Sequence, residues 1–170
     1  LLYSDPVMKL IEASKEISKC NSWKELNDQL EDLAKSEQTK FAGDIFELVT
    51  KHFLLTDSRY QSILKNVWLL NEVPEATRVK LNLPDQDEGI DLIAKTKQGK
   101  FWAIQSKYRS DSSENLTLSG KGGLATFNSL AFTYCKNISH GLVVTTVDSP
   151  PKKMKLINDI GFETSESFLS

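Results

Sequence analysis

Apolar residues recur along this chain with two different periods, and the switches between them mark out its elements. From about Pro6, Met8, Ile11 and Ile17 fall at helical spacing. Ser22-Trp23-Lys24-Glu25 then has the form of a capping box, which starts a second helix through Leu26, Leu30 and Leu33. A third helix is predicted from Thr39 to Leu55, with Phe41, Ile45, Leu48, Val49 and His52 on one stripe and Asp44, Glu47 and Lys51 on another; His52 reads as a packing residue rather than a base. The period then shortens. Residues 67–73 read as a strand closed by Pro74, residues 90–95 (IDLIAK) and 101–107 (FWAIQSK) as two more, and Lys97-Gln98-Gly99-Lys100 supplies the turn of a hairpin. A helix over 123–136, through Leu124, Phe127, Leu130, Ala131 and Tyr134, precedes a buried strand at 141–147 (GLVVTTV). Pro150-Pro151 stops that strand, and a short helix at about 152–159 and a last strand from Gly161 complete the pattern.

Side chains alternate along a strand, so Phe101, Ala103, Gln105 and Lys107 share one face and Trp102, Ile104, Ser106 and Tyr108 the other. Large apolar groups on both faces imply a strand covered by helices on both sides. Helix, hairpin, helix and strand together make an α/β sandwich. The 170 residues, 39% of them hydrophobic, suffice for one domain with its own core. We expect residues 1–38 to form a helical segment packed on a core of residues 39–170. No repeat or low-complexity segment interrupts the chain.

The hairpin carries the most informative chemistry. Its turn pairs the end of the second strand with the start of the first, which gathers Asp91, Gln105 and Lys107 at one edge of the sheet. A carboxylate, an amide oxygen and an ammonium can together hold a divalent metal and stabilise charge on a phosphate oxygen. Taken singly, Asp91 reads as a turn residue and Lys107 as a solvated strand end. Yet Gln and Lys are poor strand formers placed after Phe-Trp-Ala-Ile, and local rules broken at a strand end are a mark of function.

Charge is unevenly spread. The net charge of −2 argues against indiscriminate nucleic-acid binding by the whole surface. Residues 92–136, however, carry Lys95, Lys97, Lys100, Lys107, Arg109, Lys121 and Lys136 against Asp111 and Glu114, next to an acidic knot of Asp85, Asp87, Glu88 and Asp91. That juxtaposition suits a metal site beside a phosphate track. Lys95, Lys97 and Lys100 flank the turn and read individually as solvated charge.

Three rival motifs fail. Asp85-x-Asp87-x-Gly89 has glycine too early for a calcium loop and Thr96 where a bidentate Glu is required. Ser119-Gly-Lys-Gly-Gly123 lacks the first glycine of a P-loop and the Ser/Thr after Gly-Lys; it reads as a flexible loop whose Lys121 can contact a DNA backbone. Cys20, Cys135 and His140 do not make a zinc site, and two cysteines are too few for a disulfide scaffold, as suits a reducing compartment. No apolar run is long enough to span a membrane, and LLYSDP lacks the features of a signal peptide. The chain begins without Met, which leads us to expect a piece of a longer polypeptide.

Asp91 followed by Gln105-Ser106-Lys107 resembles the Asp…(Asp/Glu/Gln)-x-Lys motif of the PD-(D/E)xK nuclease superfamily, in its Mrr-like branch. The chain is more closely similar to the N-terminal nuclease domain of type ISP ATP-dependent restriction enzymes. The similarity runs from about Thr39 to Ser110, through TKFAGDIFELVTKHFL, VWLLNEVP and DEGIDLIAKTKQGKFWAIQSKY. The helix of such enzymes carries an acidic residue after a Gly-x-x-Phe pattern, which Glu47 matches in Gly43-Asp-Ile-Phe-Glu47.

The resemblance implies a restriction-endonuclease-like αβα sandwich, with a central mixed sheet flanked by helices. It implies a metal-dependent endonuclease acting on double-stranded DNA in the cytoplasm of a prokaryote, as part of a restriction system. An ATP-dependent motor and a specificity module would lie elsewhere in the polypeptide. Asp91, the Gln105 side-chain oxygen and the Ser106 backbone carbonyl would bind Mg²⁺ or Mn²⁺, with Glu47 as a further metal-side carboxylate. Lys107 would orient the attacking water or stabilise the transition state, and Tyr108 and Arg109 would contact phosphate. Gln105 departs from the Glu of the wider superfamily and removes one negative charge from the ligand set, so weak metal binding that firms up with substrate is expected. Two other readings stand beside this one: a catalytically silent DNA-binding module on the same fold, which would bind without nicking in Mg²⁺ or Mn²⁺, and a protein-interaction domain, which would not bind DNA at low salt.

Overall fold

The computed structural model of the chain describes residues 5–86, 88–119, 123–151 and 159–169. The N-terminal helices form where the apolar spacing places them: α1 (Pro6–Ser18), α2 (Trp23–Lys35) and α3 (Thr39–Thr56). Asp5 caps α1, its carboxylate accepting from the Val7 N–H, and the Ser22 hydroxyl accepts from Glu25 N–H at the start of α2. The return half of the capping box is displaced by one residue, since Glu25 accepts from Asn21 N–H at 2.8 Å. Ile11 is 42% exposed, and His52, expected to pack, is exposed on α3.

A short helix, α4 (Ser58–Ile63), leads into β1 (Leu64–Leu69). This strand begins before the expected Val67 and ends before Val73, because residues Leu70–Glu72 turn as a 3-10 helix and the Glu72 carboxylate accepts from Leu69 N–H at 3.0 Å. Helix α5 (Glu75–Leu81) was not apparent in the sequence. It follows Pro74, has Glu75 in its first turn and Arg78 and Lys80 in its last, and closes on Asn82 with φ 51°. Arg78 braces it, donating to the carbonyls of Leu70 at 2.7 Å and Pro84 at 2.8 Å.

The hairpin is β2 (Leu92–Thr96) and β3 (Phe101–Lys107), with Gly99 at φ +83° in the turn. Beyond it, α6 (Leu124–Ser129) widens into a π-type turn over Leu130–Tyr134. Tyr134, expected in the core, is 54% exposed. Strands β4 (Ile138–Thr145) and β5 (Ile160–Glu163) complete a mixed five-stranded sheet of order β1-β2-β3-β4-β5. The first three strands form an antiparallel meander, and β3–β4 and β4–β5 are parallel. The helix expected at 152–159 falls almost wholly outside the described residues.

Helices cover both faces, as the two-sided apolar pattern requires. On one, Leu30, Phe41, Ile45, Phe46 and Leu54 meet Leu92, Ile104, Leu142 and Val144, and α1 and α2 add Ala13 and Leu26. On the other, Leu81, Leu124 and Phe127 meet Ile93, Phe101, Ala103 and Val143. This is an α/β sandwich with a central mixed sheet flanked by helices, as expected. The C-terminal end returns to the first face, where Phe168 stacks on Trp23 at 4.8 Å. Buried Glu163 is held there by Tyr60, whose hydroxyl donates at 2.5 Å, and by Ser167 and Arg59.

Candidate active site

The open end of the hairpin is built by a side chain that takes over from the backbone ladder. Leu92 pairs with Ile104, and the Asp91 N–H donates to the Ile104 carbonyl at 2.9 Å. The next donor along β3, the Ser106 N–H, goes to the Asp91 carboxylate at 2.7 Å. Charge-assisted bonds of this kind are about twice as strong as neutral ones. On its other side the Asp91 carbonyl accepts from Leu70 N–H at 3.0 Å, so both neighbouring strands fix the residue.

Gln105 lies on the α5/α6 face in line with Phe101 and Ala103, and it is 4% exposed. Its Oε1 is buried with no hydrogen-bond partner among the described residues. Gly89, at φ +125°, leads the chain into this corner, and a Cβ placed there would lie 3.8 Å from Gln105 Nε2. Lys107 ends β3; its carbonyl accepts from the Thr145 hydroxyl at 2.8 Å and from Thr146 N–H at 3.3 Å, so β4 fixes its backbone.

Ser106 faces the opposite way, where its hydroxyl lies 3.3 Å from that of Thr50 on α3. Glu47 precedes Thr50 by one helical turn and is half-buried. Lys51, next after Thr50, pairs with Glu72 at 2.6 Å, and Glu72 also holds the end of β1. Asp91, Gln105, Ser106 and Lys107 thus meet at one strand end, with the α3 turn of Glu47, Thr50 and Lys51 tethered to the same end. Thr50 and Glu72 were not singled out from the sequence, and Lys51 only as a member of the polar stripe with Glu47. The only signal was the spacing of Glu72 behind Leu69, which suits a side chain reaching back to a backbone N–H.

Of the flanking residues, Tyr108 departs from expectation. Tyr108, expected as a phosphate contact, is buried, 6.1 Å from the Phe46 ring between centroids. Its hydroxyl has no hydrogen-bond partner among the described residues, and burial pushes the phenol up to about 12. Strand alternation turns this side chain into the α3 core. Arg109 is partly exposed, ion-paired with Glu114 at 3.4 Å and donating to the Tyr108 carbonyl at 2.9 Å. Lys121 lies outside the described residues.

The donor set suits a hard divalent cation. The groups expected as ligands, the carboxylates of Asp91 and Glu47, the amide oxygen of Gln105 and the Ser106 carbonyl, would all offer oxygens. A buried carbonyl oxygen without a donor, as in Gln105, is what such an ion would satisfy. Among the described residues no group of three or more His, Cys, Asp and Glu side chains is placed to hold a metal, so a site built from them would draw on the amide and the backbone. Cys135 is buried, its thiol pushed up to about 11 by that burial, and Cys20 is half-buried; both are free thiols.

A restriction endonuclease family of the Mrr catalytic type matches residues 55–161. The chain belongs to the Mrr-like restriction endonuclease family. Its members are nucleases of restriction systems, hydrolases that act on DNA, and the matched span holds Asp91, Gln105 and Lys107 but begins after Glu47. Among solved structures, this Mrr-like domain is similar to "ATP-dependent Type ISP restriction-modification enzyme LlaBIII bound to DNA", with 27% identity and a TM-score of 0.52 over 79% of the chain. The match covers 8% of that protein's length. No curated protein matches. No helix among the described residues is long and apolar enough to cross a membrane.

Proposed function

We propose that this Mrr-like domain is a metal-dependent endodeoxyribonuclease, the nuclease part of a restriction enzyme that defends against phage. The observation that carries the reading is the 2.7 Å bond from Ser106 N–H to the Asp91 carboxylate, which draws the two halves of the Asp…Gln-x-Lys motif together. Asp91, Gln105 Oε1 and the Ser106 carbonyl would hold Mg²⁺ or Mn²⁺, with Glu47 adding a carboxylate from α3. When bound, such an ion polarises the scissile phosphate and lowers the pKa of a coordinated water.

The remaining work falls to the chain. Asp91 holds its carboxylate in one orientation because Ser106 N–H and both flanking strands restrain it. Lys107, on a strand end pinned by β4, places an ammonium next to the phosphate, where it orients the attacking water and offsets charge growing on the phosphoryl oxygens. Glu47 accepts a proton or a water hydrogen bond from the α3 side. Double-stranded DNA is the substrate, and an ATP-dependent motor and a specificity module would be further domains of the same polypeptide, in a prokaryotic cytoplasm.

The test is cleavage of supercoiled plasmid by the chain. Nicking or linearisation in Mg²⁺ or Mn²⁺, suppressed by EDTA, is expected. Salt-sensitive DNA binding without cleavage in either ion would leave the silent DNA-binding module in its place.

A further inference from the structure

At the closed end of the hairpin, on the α5/α6 face, lies an open cavity of about 340 Å³ lined by Lys80, Lys100, Phe101, Asn137 and Ser139. Two of the lining residues are cations, Lys80 and Lys100, and Lys95 stands outside the lining, beside the Phe101 ring. Lys80, on α5, places its ammonium 5.3 Å from the centre of the Phe101 ring, and Lys95, on β2, places its own 5.7 Å from the same ring. Lys100 joins from the turn. Lys136 follows α6, where its N–H donates to the Leu81 carbonyl at 2.8 Å.

Among the described residues none of these four lysines forms an ion pair. Asp159, at the start of β5, is engaged by His140 at 3.3 Å on the Trp102 side of the sheet. A ring face attracts one ammonium, but two sharing one ring repel each other, and an anion between them removes that repulsion. Lysine ammonium groups are compact, strongly hydrated point charges suited to phosphate oxygens.

We propose that this cavity binds a phosphate group of a nucleic-acid backbone, as a contact separate from the candidate active site. Phe101 and Lys107 bound β3, so the two places are about 20 Å apart at the usual rise per residue. Phosphate contacts carry no sequence information; they fix where the duplex lies. DNA is chosen over an acidic protein surface because Lys80 and Lys100 line an open concavity with Lys95 beside it, in a family that acts on DNA. The proposal rests on that family membership, not on the roles given to Asp91, Gln105 and Lys107.

Fluorescence anisotropy of a labelled duplex with the full chain in EDTA, where no strand is cut, gives the slope of log affinity against log salt. K80Q/K95Q is expected to bind the duplex about threefold to tenfold more weakly near 50 mM salt, with the slope reduced by about one to two, and K80R/K95R to keep both. Inorganic phosphate, followed by thermal shift, and a poly-glutamate peptide serve as the other probes. An unchanged slope in K80Q/K95Q overturns the proposal, as does absence of duplex binding by the wild type. A Tm shift by phosphate lost in K80Q/K95Q with an unchanged duplex slope makes this a free-phosphate site and also overturns it. Loss of poly-glutamate binding exceeding loss of duplex binding overturns it in favour of an acidic protein. Failure of the wild type to cleave in Mg²⁺ or Mn²⁺ would sink the nuclease reading alone and leave these slopes intact.

Discussion

The two ends of the β2–β3 hairpin treat their polar groups in opposite ways. At the closed end the Thr96 hydroxyl accepts from Lys100 N–H at 3.0 Å, Gly99 N–H reaches the Thr96 carbonyl at 2.9 Å, and the Ser139 hydroxyl donates to the Phe101 carbonyl at 3.1 Å. These bonds are what a tight turn requires, and folding accounts for them. At the open end Gln105 is drawn inside with its carbonyl oxygen unmet among the described residues, and a carboxylate takes over from the backbone as ladder acceptor. An unmet buried polar atom costs about 1–3 kcal/mol, and a hydrophobic residue at position 105 would avoid that cost. Strand ends obey the same sterics everywhere, so the difference points to chemistry rather than stability.

Substitutions at each end can break this contrast. Asp91→Ala and Lys107→Ala should each lower plasmid cleavage by at least about a hundredfold while leaving the circular dichroism spectrum native; full activity in either would remove the open end from catalysis. Gln105→Glu is subtler. With a full carboxylate at a buried position, the metal-free protein should lose stability as pH rises above the ordinary carboxyl range, because burial raises the pKa of the new carboxyl above its unfolded value. Mg²⁺ should restore that stability, and calorimetry should find Mg²⁺ bound about tenfold more tightly than by the wild type. Equal affinity would mean that Gln105 Oε1 does not face the ion.

At the closed end, Gly99→Ala places a side chain on φ +83°, so denaturant melts should show a loss of about 1 kcal/mol. Tyr108→Phe should move stability the other way by a similar amount, a gain of about 1 kcal/mol from deleting a buried hydroxyl with no partner among the described residues. With the wild-type phenol up at about 12, the folded state keeps a proton that the unfolded chain releases near its ordinary value. Stability is therefore lost as pH rises through about 10 to 12, and the Phe variant should lose less across that window.

The same contrast explains how far the sequence could be read. A glycine turn between two β-branched and aromatic runs sets its own register, so the gathering of Asp91 with Gln105-Ser106-Lys107 followed from the chain alone. Helices α1 to α3 were equally plain, because their apolar stripes are long. The end of β1 was hidden: Leu69 and Leu70 continue an apolar run, and only the Glu72 side chain breaks it. Helix α5 buries one residue, Leu81, too little for a periodic signal. The parallel partnership of β3 with β4 and the Thr50–Ser106 approach are tertiary facts that no local pattern carries. Tyr108 is a different case, since the alternation that put Trp102 and Ile104 on the covered face also put Tyr108 there.

The sheet's strand order carries a consequence for how the protein comes into being. The Asp91–Ser106 bond joins positions 15 apart in the chain, the Thr145–Lys107 bond positions 38 apart, and the Tyr60–Glu163 bond positions 103 apart. Closing a loop costs more entropy as it lengthens, and distant pairings form slowly. The antiparallel meander can therefore close while β4 and β5 are still unpaired. During synthesis, the motif residues would take their relative places before the ribosome has released the strand that ends in Glu163.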